Sequence, residues 1–288
     1  MAHKQVLFRS AAREKILHGA TQLADAVRVT LGPRSKSVLI EKKWGPPIVC
    51  NDGVTIAKEI DLKDPEENLG AQMLRQAAEK TRDLVGDATS TSTILAHAIV
   101  ADGLRNVVAG ASAIEIKRGL DRATKSAIGT LRALSRPVAT RKEKAQVATI
   151  SAHNDPTIGE LVAEAIGGGA VIRVGAPTEA EMKSKKEALD DAISSTKAAV
   201  AEGIVPGGAL ALLRCIEGVH QEETKCDGDE RTGVQILKRA LEIPTRQIAE
   251  NSAVDGGVVV ARMVAGQGNY GFDAVAQGAI ITYACGRN

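Results

Sequence analysis

Aromatic side chains are scarce in this chain, which has one Trp, two Tyr and two Phe among its 288 residues. Proteins that hold single-stranded nucleic acid stack the bases on aromatic platforms, and so few rings do not favour that function. The core must therefore be made of Ala, Val, Ile and Leu, a composition that favours helix packing. With 44% hydrophobic residues, the chain has enough apolar material for one large or two modest domains.

Neither sign of charge predominates. Lys and Arg number 37, Asp and Glu number 35, and the two signs are interspersed along the chain. This balance indicates neither a nucleic-acid partner nor a membrane partner. No signal peptide opens the sequence and no apolar run is long enough to cross a bilayer, so we expect a cytoplasmic protein.

The cysteine and histidine patterns of disulfide frameworks and metal centres are missing as well. The four cysteines stand far apart without any Cys-x-x-Cys pair, and the five histidines are scattered. The sequence therefore predicts buried or free thiols in a reducing compartment, and it predicts no zinc site.

Three familiar motifs are also absent or unsupported. The chain has no Gly-x-x-x-x-Gly-Lys-Ser/Thr loop, which excludes a P-loop NTPase by sequence, and no Gly-x-Ser-x-Gly elbow of a serine hydrolase. Residues 266–271 fit Gly-x-Gly-x-x-Gly. A helix-like segment precedes them, however, where a dinucleotide-binding fold requires a strand.

Helical periodicity dominates what is present. The helices it predicts cover 10–30, 68–84, 94–108, 156–166, 179–202, 232–250 and 256–265, with further helical pattern reaching about residue 134. Extended segments are fewer: Val38–Ile40 and Ile48–Val49 predict a hairpin around a turn at 44–47, residues 170–174 predict a strand, and 279–285 predict an extended end.

The most informative turn, Gly86 to Thr93, reads Gly-Asp-Ala-Thr-Ser-Thr-Ser-Thr between two of these helices. A helix that begins with small hydroxyl residues exposes free backbone N–H groups, and these suit a phosphate. Asp87 would repel a phosphate unless it held a metal ion there. Plain N-capping by Asp87 or Thr89 explains the same residues, and this segment taken alone favours capping over phosphate binding.

Taken in order, the turns of the chain resemble those of the group I chaperonins, the GroEL type. The matching segments are Ala24-Asp25-Ala26-Val27, Thr30-Leu31-Gly32-Pro33, Asp52-Gly53-Val54-Thr55, Asn68-Leu69-Gly70-Ala71-Gln72-Met73, Ala148-Thr149-Ile150-Ser151-Ala152 and Gly268-Asn269-Tyr270-Gly271. The resemblance covers nearly the whole chain, and this many matches in the same order make it highly specific. It implies a mainly α fold, with a chaperonin equatorial-type helical domain and a small α/β intermediate domain.

By this resemblance, residues 1–133 and 202–288 form the equatorial, ATP-binding domain, and residues 134–201 form the intermediate, hinge-bearing domain. The family's apical domain, which binds unfolded clients and the co-chaperonin lid, is inserted between two segments of the intermediate domain. Here only Gly167-Gly168-Gly169 joins those segments. The resemblance therefore implies that a deletion, natural or engineered, has removed the apical domain, and the sequence gives no support for client or co-chaperonin binding.

The resemblance also implies an ATP site that uses Mg²⁺ and K⁺. Its nucleotide-binding residues would be Thr30, Leu31, Gly32, Pro33, Ala88, Thr89, Ser90, Thr91, Gly208, Asp273 and Ala274. Asp87 would bind the magnesium ion, and Thr30 belongs to the loop near the potassium ion. Asp52 would help to place the attacking water, and Asp191 would swing in as base or water-positioner on hinge closure. Without the family context, Asp52 is a turn residue and Asp191 a solvated surface residue.

Several positions depart from the family pattern. Ala88 replaces the second glycine of Gly-Asp-Gly-Thr-Thr, and it would be strained or would crowd the ligand if the backbone there needs a positive φ. Asn51 replaces a lysine, Ser35 a glycine, and Asp273 an asparagine, while Asp190 replaces a glutamate. The family's Leu-Asp-Pro turn, whose Asp contacts the ribose, is missing together with neighbouring helices. We therefore expect weakened nucleotide binding.

Functions of different classes remain open at this stage. The first is a chaperonin-like ATP-binding protein that hydrolyses ATP slowly. The second is a non-catalytic assembly module, in which the hairpin 38–49 pairs with the terminal strand 279–282 of a neighbouring copy. The third is a general nucleotide-binding fold without a chaperone role. ATP is a partner in the first and third of these, and self-association is essential to the second.

Overall fold

A computed structural model describes residues 9–41, 47–152, 154–166, 171–275 and 280–282, and these residues are mainly helical, as predicted. The elements of the first half are α1 (Arg9–Arg28), β1 (Val38–Ile40), β2 (Ile48–Cys50), α2 (Gly53–Glu59), α3 (Pro65–Val85), α4 (Thr89–Val108) and α5 (Ala113–Leu134). Those of the second half are α6 (Arg141–Ser151), α7 (Pro156–Ala165), α8 (Glu179–Glu202), α9 (Leu210–Glu223), α10 (Gly228–Ala240), α11 (Ile243–Asn251), α12 (Gly256–Ala265), β3 (Tyr270–Phe272) and β4 (Ile280–Thr282). None of the described helices is long and apolar enough to cross a membrane.

The chain divides into two compact units. The first unit comprises Met1–Ala78, Ser90–Ala133 and Pro206–Asn288, and the second comprises Glu79–Thr89 and Leu134–Val205. Each unit is therefore assembled from segments that are distant in sequence. The assignment of these units to the equatorial and intermediate domains stays a prediction.

The first unit is held together by clusters of small aliphatic side chains. Leu23 and Val27 of α1 pack with Ile56 of α2 in one cluster. A second cluster joins α5, α9 and α10, and a third joins α9, α11, α12 and β3. Phe272, which is 6% exposed, is the aromatic residue among the buried members of these clusters. Packing of α-helices through Ala, Val, Ile and Leu is what the low aromatic content predicted.

The second unit is built around α6, α7 and α8. Ala148, Val162 and Ala192, one from each helix, are fully or almost fully buried in its core. Side-chain caps begin all three helices: Thr140 accepts a hydrogen bond at the start of α6, Asp155 at the start of α7, and Thr178 at the start of α8. These caps satisfy backbone N–H groups that the helices themselves leave without a partner.

The predicted hairpin is confirmed. β1 and β2 are antiparallel, with Val38 opposite Cys50, Leu39 opposite Val49 and Ile40 opposite Ile48. Residues 44–46 of its turn lie outside the described residues. Leu39 and Val49 are 68% and 69% exposed, although they are directly opposite each other and therefore on one face of the hairpin.

The predicted strand at 170–174 is wrong for its described part, residues 171–174, which have no strand assignment. Ile172 and Val174 pack against the α6–α8 core, whereas Val171 is 88% exposed. The alternation of buried and exposed residues is that of an extended segment. A strand also needs a partner for its backbone hydrogen bonds, and no ladder pairs these four residues with another described segment.

The terminal extended segment pairs within the chain. β4 lies antiparallel to β3, with Tyr270 opposite Thr282 and Phe272 opposite Ile280. The resemblance implied that this strand would pair with the hairpin of a neighbouring copy. In the structure, one edge of β4 is already hydrogen-bonded to β3. Residues 279 and 283–285 of the predicted extended end lie outside the described residues.

Candidate functional site

The hydroxyl groups of Thr30 and Ser90 meet beside the beginning of α4. Thr30 Oγ1 donates to the carbonyl oxygen of Val27 at 2.7 Å and lies 3.1 Å from Ser90 Oγ. Because the Thr30 proton is used by Val27, Ser90 must be the donor to Thr30. Two predicted nucleotide-binding residues, 60 positions apart in sequence, are thus direct neighbours in the first unit.

A glycine makes this approach possible. A Cβ atom added to Gly53, the first residue of α2, would lie 2.4 Å from Ser90 Oγ and 3.1 Å from Ser90 N. Any larger residue at position 53 would therefore push α2 away from the start of α4. Thr89, the first residue of α4, is buried, and Thr91 is half-buried.

Asp52 caps α2. Its Oδ1 accepts from Val54 N at 3.4 Å, and its Oδ2 accepts from Thr55 N at 2.9 Å. The turn-residue interpretation of Asp52 therefore accounts for its local contacts. A carboxylate offers about four lone-pair positions, so these two bonds leave capacity for a water molecule.

The loop of Leu31, Gly32 and Pro33 is linked to the turn that carries Asp273. Arg34 Nη2 donates to Val275 O at 3.1 Å, and Asp273 Oδ1 accepts from Val275 N at 2.8 Å. Arg34 was not predicted from the sequence as a site residue. Its position directly after the Leu31-Gly32-Pro33 turn is the signal that could have revealed it. The predicted phosphate loop and the predicted adenine contacts thus lie at neighbouring positions in the first unit.

Gly208 and Ala274 differ in their surroundings. Gly208 lies in the turn before α9 with open space within 4 Å of the position that a Cβ would take. Such an uncovered backbone can be approached closely by a ligand. Ala274 is 4% exposed and packs with Leu210 and Met263 in the core. The side chain of Ala274 therefore anchors the turn of residues 273–275 to this core.

Asp87 and Ala88 belong to the second unit. Asp87 is exposed, and its Oδ1 accepts from Ala88 N at 2.6 Å. Ala88 has a φ of 61°, in the left-handed region. This conformation costs a residue with a Cβ roughly 1–2 kcal/mol. The backbone strain that the Ala88 substitution implied is therefore present in the structure.

Asp191 lies on α8, close to the same turn. The Nε of Arg82 is 3.5 Å from Asp191 Oδ1, and both side chains are 22% exposed. A Cβ atom added to Gly86 would lie 2.6 Å from Ser194 Cβ and 2.9 Å from Asp191 O. The turn that carries Asp87 and the stretch of α8 that carries Asp191 therefore pack directly against each other within the second unit.

Arg82 is a second contact that sequence reasoning missed. Arg82 lies near the end of α3, one helical turn before Gly86. That position is the signal that could have revealed it. An exposed aspartate would be free to rotate, whereas a guanidinium 3.5 Å away restrains the Asp191 carboxylate. Asp191 is therefore not the solvated surface residue that the sequence indicates when the family resemblance is left aside.

The predicted site residues are divided between the units. The first unit carries Thr30, Leu31, Gly32, Pro33, Asp52, Ser90, Thr91, Gly208, Asp273 and Ala274. The second carries Asp87, Ala88, Thr89 and Asp191. The structure brings Thr30 together with Ser90 in one unit, and the Asp87 turn together with Asp191 in the other.

The donor set suits a magnesium ion that is bound mainly by phosphate. Within the described ranges, no group of three or more His, Cys, Asp and Glu side chains is arranged to hold a metal ion. Mg²⁺ at a nucleotide site normally uses one or two carboxylates together with substrate phosphates and water. The exposed carboxylate of Asp87 fits that arrangement.

Comparison with known proteins gives two findings. The family model described as the TCP-1/cpn60 chaperonin family matches residues 23–169 and residues 161–283. The two matches overlap at residues 161–169, a stretch that includes the predicted glycine joint at 167–169. The joint itself lies outside the described residues.

A curated relative aligns with almost the whole chain. Chaperonin GroEL 5 of Bradyrhizobium diazoefficiens is 45% identical over an alignment of 481 residues, which covers 95% of this chain and 89% of the relative. Because that alignment is longer than the 288 residues of this chain, a large part of the relative has no counterpart here. An internal deletion explains both the long alignment and the two family matches.

Proposed function

The chain belongs to the TCP-1/cpn60 chaperonin family, and from this membership we propose that it binds Mg-ATP and hydrolyses it slowly. The predicted chaperonin-type chain without an apical domain is confirmed by the comparisons. The proposal concerns nucleotide binding, the metal ions and the roles of single residues. Client binding through an apical domain is not part of it.

The hydroxyl cluster at the start of α4 is the observation that carries this proposal. Helix α4 has 20 residues, and its first N–H groups and its dipole favour an anion. Thr30 Oγ1 and Ser90 Oγ lie 3.1 Å apart at this helix end, and Ser90 would turn its proton from Thr30 to a phosphate oxygen when it binds one. Helix capping alone would not require Thr30, from a segment 60 residues away, to join it.

The metal ions would be held by few protein atoms. Asp87 would bind Mg²⁺, and the loop that contains Thr30 would lie near K⁺. Bound Mg²⁺ would neutralise the developing charge on the phosphates. The Thr30 hydroxyl already donates to Val27 and accepts from Ser90, so one of its lone pairs remains for a cation.

Two carboxylates of the chain, those of Asp52 and Asp191, would position the attacking water or accept its proton. Asp52 keeps unused lone pairs after capping α2, and one of them can accept a proton of that water. Asp191, whose carboxylate is restrained by Arg82, would act as base or water-positioner. Slow turnover is expected, because Asn51 supplies no positive charge where the family pattern has a lysine.

Thermal unfolding tests binding directly. The midpoint should rise with Mg-ATP concentration, since a ligand at 100 times its dissociation constant stabilises the native state by about 2.7 kcal/mol. ATP in excess EDTA should give a much smaller rise, because Asp87 then meets unshielded phosphates. No shift at millimolar Mg-ATP would contradict the proposed function.

Replacing Ala88 by glycine should strengthen binding. Ala88→Gly relieves the left-handed strain and removes the Ala88 methyl group from the turn, so we expect about 0.5–1 kcal/mol of added stability and a roughly tenfold tighter Mg-ATP complex. Thermal unfolding and calorimetric titration measure the two effects.

Ala253 provides the control for that variant, because it has nearly the same φ, 59°, and is not among the predicted site residues. Ala253→Gly should raise stability by a similar amount without changing affinity. Equal affinity gains in the two variants, or none in Ala88→Gly, would show that Ala88 does not limit nucleotide binding.

Asp52 can be tested without disturbing its cap. Asparagine caps helices about as well as aspartate, so Asp52→Asn should leave stability within about 0.5 kcal/mol of wild type, whereas Asp52→Ala should lose about 1 kcal/mol. If the carboxylate places water, Asp52→Asn lowers kcat about tenfold or more with little change in affinity. An unchanged kcat in Asp52→Asn would reduce Asp52 to a helix cap.

A second candidate function is assembly without turnover. The specific observation that favours it is the exposed pair Leu39 and Val49 on one face of the hairpin. A neighbouring copy could cover this face, but β4 would have to use its remaining edge or leave β3. Light scattering over a range of concentrations tests this candidate, and a strict monomer would contradict it.

A further inference from the structure

One amide side chain connects the end of α11 to the loop after α1. Asn251, the last residue of α11, donates from Nδ2 to the carbonyl oxygens of Arg28 at 2.9 Å and Leu31 at 2.8 Å. Its Oδ1 accepts from Gln247 Nε2 at 3.0 Å. Three hydrogen bonds therefore fix a single half-buried carboxamide.

The orientation of this carboxamide follows from its neighbours. Backbone carbonyl oxygens can only accept hydrogen bonds, so the NH₂ group of Asn251 must face Arg28 and Leu31. A flipped amide would place Oδ1 against two carbonyl oxygens and would set two NH₂ groups, those of Asn251 and Gln247, against each other. The contacts thus select one arrangement out of two.

The two accepting carbonyls lie where α1 gives way to the loop. The last carbonyls of a helix lack intrahelical partners and need donors from elsewhere. Asn251 supplies one proton to the final residue of α1 and the other to Leu31, three residues further on. Its amide therefore sets the direction in which the chain leaves the helix toward Gly32 and Pro33.

We propose that Asn251 is a positioning residue of the nucleotide site, which holds the loop of residues 30–33 in the geometry that phosphate binding needs. This inference rests on the proposed function, since the loop is a nucleotide loop only if the chain binds Mg-ATP. Asn251 itself contacts the backbone of the loop, 220 residues away in sequence, and not the nucleotide.

Two substitutions and a matched control test the proposal. Asn251→Ala removes the donor, and Asn251→Asp places a carboxylate oxygen against the two carbonyls. Asn106→Ala removes a comparable bond, from Asn106 Nδ2 to Asp102 O at 2.8 Å, inside α4 and outside the site. Calorimetric titration should give a Mg-ATP dissociation constant raised at least tenfold in Asn251→Ala, raised further in Asn251→Asp, and within twofold of wild type in Asn106→Ala.

Hydrogen exchange without nucleotide separates this inference from the proposed function. Ser35 N donates to Gly32 O and Lys36 N donates to Val29 O, and their exchange reports whether the loop keeps its shape. Exchange at these amides should quicken at least tenfold in both Asn251 variants and stay unchanged in Asn106→Ala. Unchanged exchange, or unchanged affinity in Asn251→Asp, would overturn the proposal.

Failure of the proposed function gives a different pattern. Wild type would then show no Mg-ATP binding, while faster loop exchange in the Asn251 variants would still establish that Asn251 holds the loop. In that case the positioning role for a nucleotide is overturned and the structural contact stands.

Discussion

Replacing Asp87 by asparagine should lower ATP turnover about 1000-fold. In the proposed site this carboxylate is the protein's ligand for Mg²⁺, and the ion contributes several kcal/mol of charge stabilisation in the transition state. Asparagine keeps the size of the side chain and can still accept from Ala88 N, as Asp87 does at 2.6 Å. Stability should therefore change little. Phosphate release at saturating Mg-ATP, compared between variant and wild type, measures the effect.

Asp83 offers a control with the same change of charge. It is exposed, and it lies four residues before Asp87, near the end of α3. Asp83→Asn should turn over ATP at the wild-type rate. If Asp83→Asn and Asp87→Asn lose activity equally, the general charge of this turn matters and Asp87 is not the metal ligand. Full activity in Asp87→Asn would remove it from the site altogether.

Replacing Gly86 by alanine should destabilise the fold more than the other substitutions considered. Its φ of 75° disfavours any residue with a Cβ, and the added atom would overlap Ser194 Cβ at 2.6 Å and Asp191 O at 2.9 Å. Backbone strain together with this overlap should cost about 3 kcal/mol or more. For a chain of this size, the unfolding midpoint should fall by roughly 6–12 °C.

Gly110→Ala isolates the contribution of the backbone. Gly110 also has a positive φ, 105°, but no atom lies within 4 Å of the added Cβ position. This control should lose only about 1–2 kcal/mol. If both variants lost the same amount in thermal unfolding, the turn of Gly86 would not be packed against α8, and the juxtaposition of Asp87 and Asp191 would be wrong.

Helix positions followed from local signals. Residues 179–202 were predicted as a helix and form α8 with the same bounds, because Thr178 caps its start and Gly203, with φ 85°, ends it. The prediction of a strand at 170–174 was wrong. Alternating apolar residues indicate burial on one side of a segment, but they do not indicate which other segment supplies its hydrogen-bonding partner. Long, capped helices and a hairpin closed by a short turn are therefore predictable, whereas pairing with a segment distant in sequence is not.

The candidate site was only partly predictable. Thr30, Ser90 and Asp87 could be proposed from motifs, because their residue types and order resemble a known family. The contact of Gly86 with α8 and the pairing of Arg82 with Asp191 depend on packing between segments about 100 residues apart. Asn251 lay outside every motif, since a single asparagine at a helix end has no distinctive pattern in sequence.

The effect of the Ala88 substitution depends on the sequence and on the backbone conformation together. The substitution was visible in the sequence, whereas its cost depends on a backbone angle that only the structure supplies. A φ of 61° makes Ala88 the residue most damaging to the proposed phosphate cradle. If the chain binds Mg-ATP as proposed, we expect this strain at Ala88 to weaken the binding.

A crystal structure of the chain with Mg²⁺ and a non-hydrolysable ATP analogue tests the central claim most directly. We predict that the phosphates lie on the N–H groups at the start of α4, with the magnesium ion bound by Asp87 and the loop of residues 30–33 against the phosphates. A nucleotide bound elsewhere, or a start of α4 without nucleotide at saturating concentration, would contradict the claim.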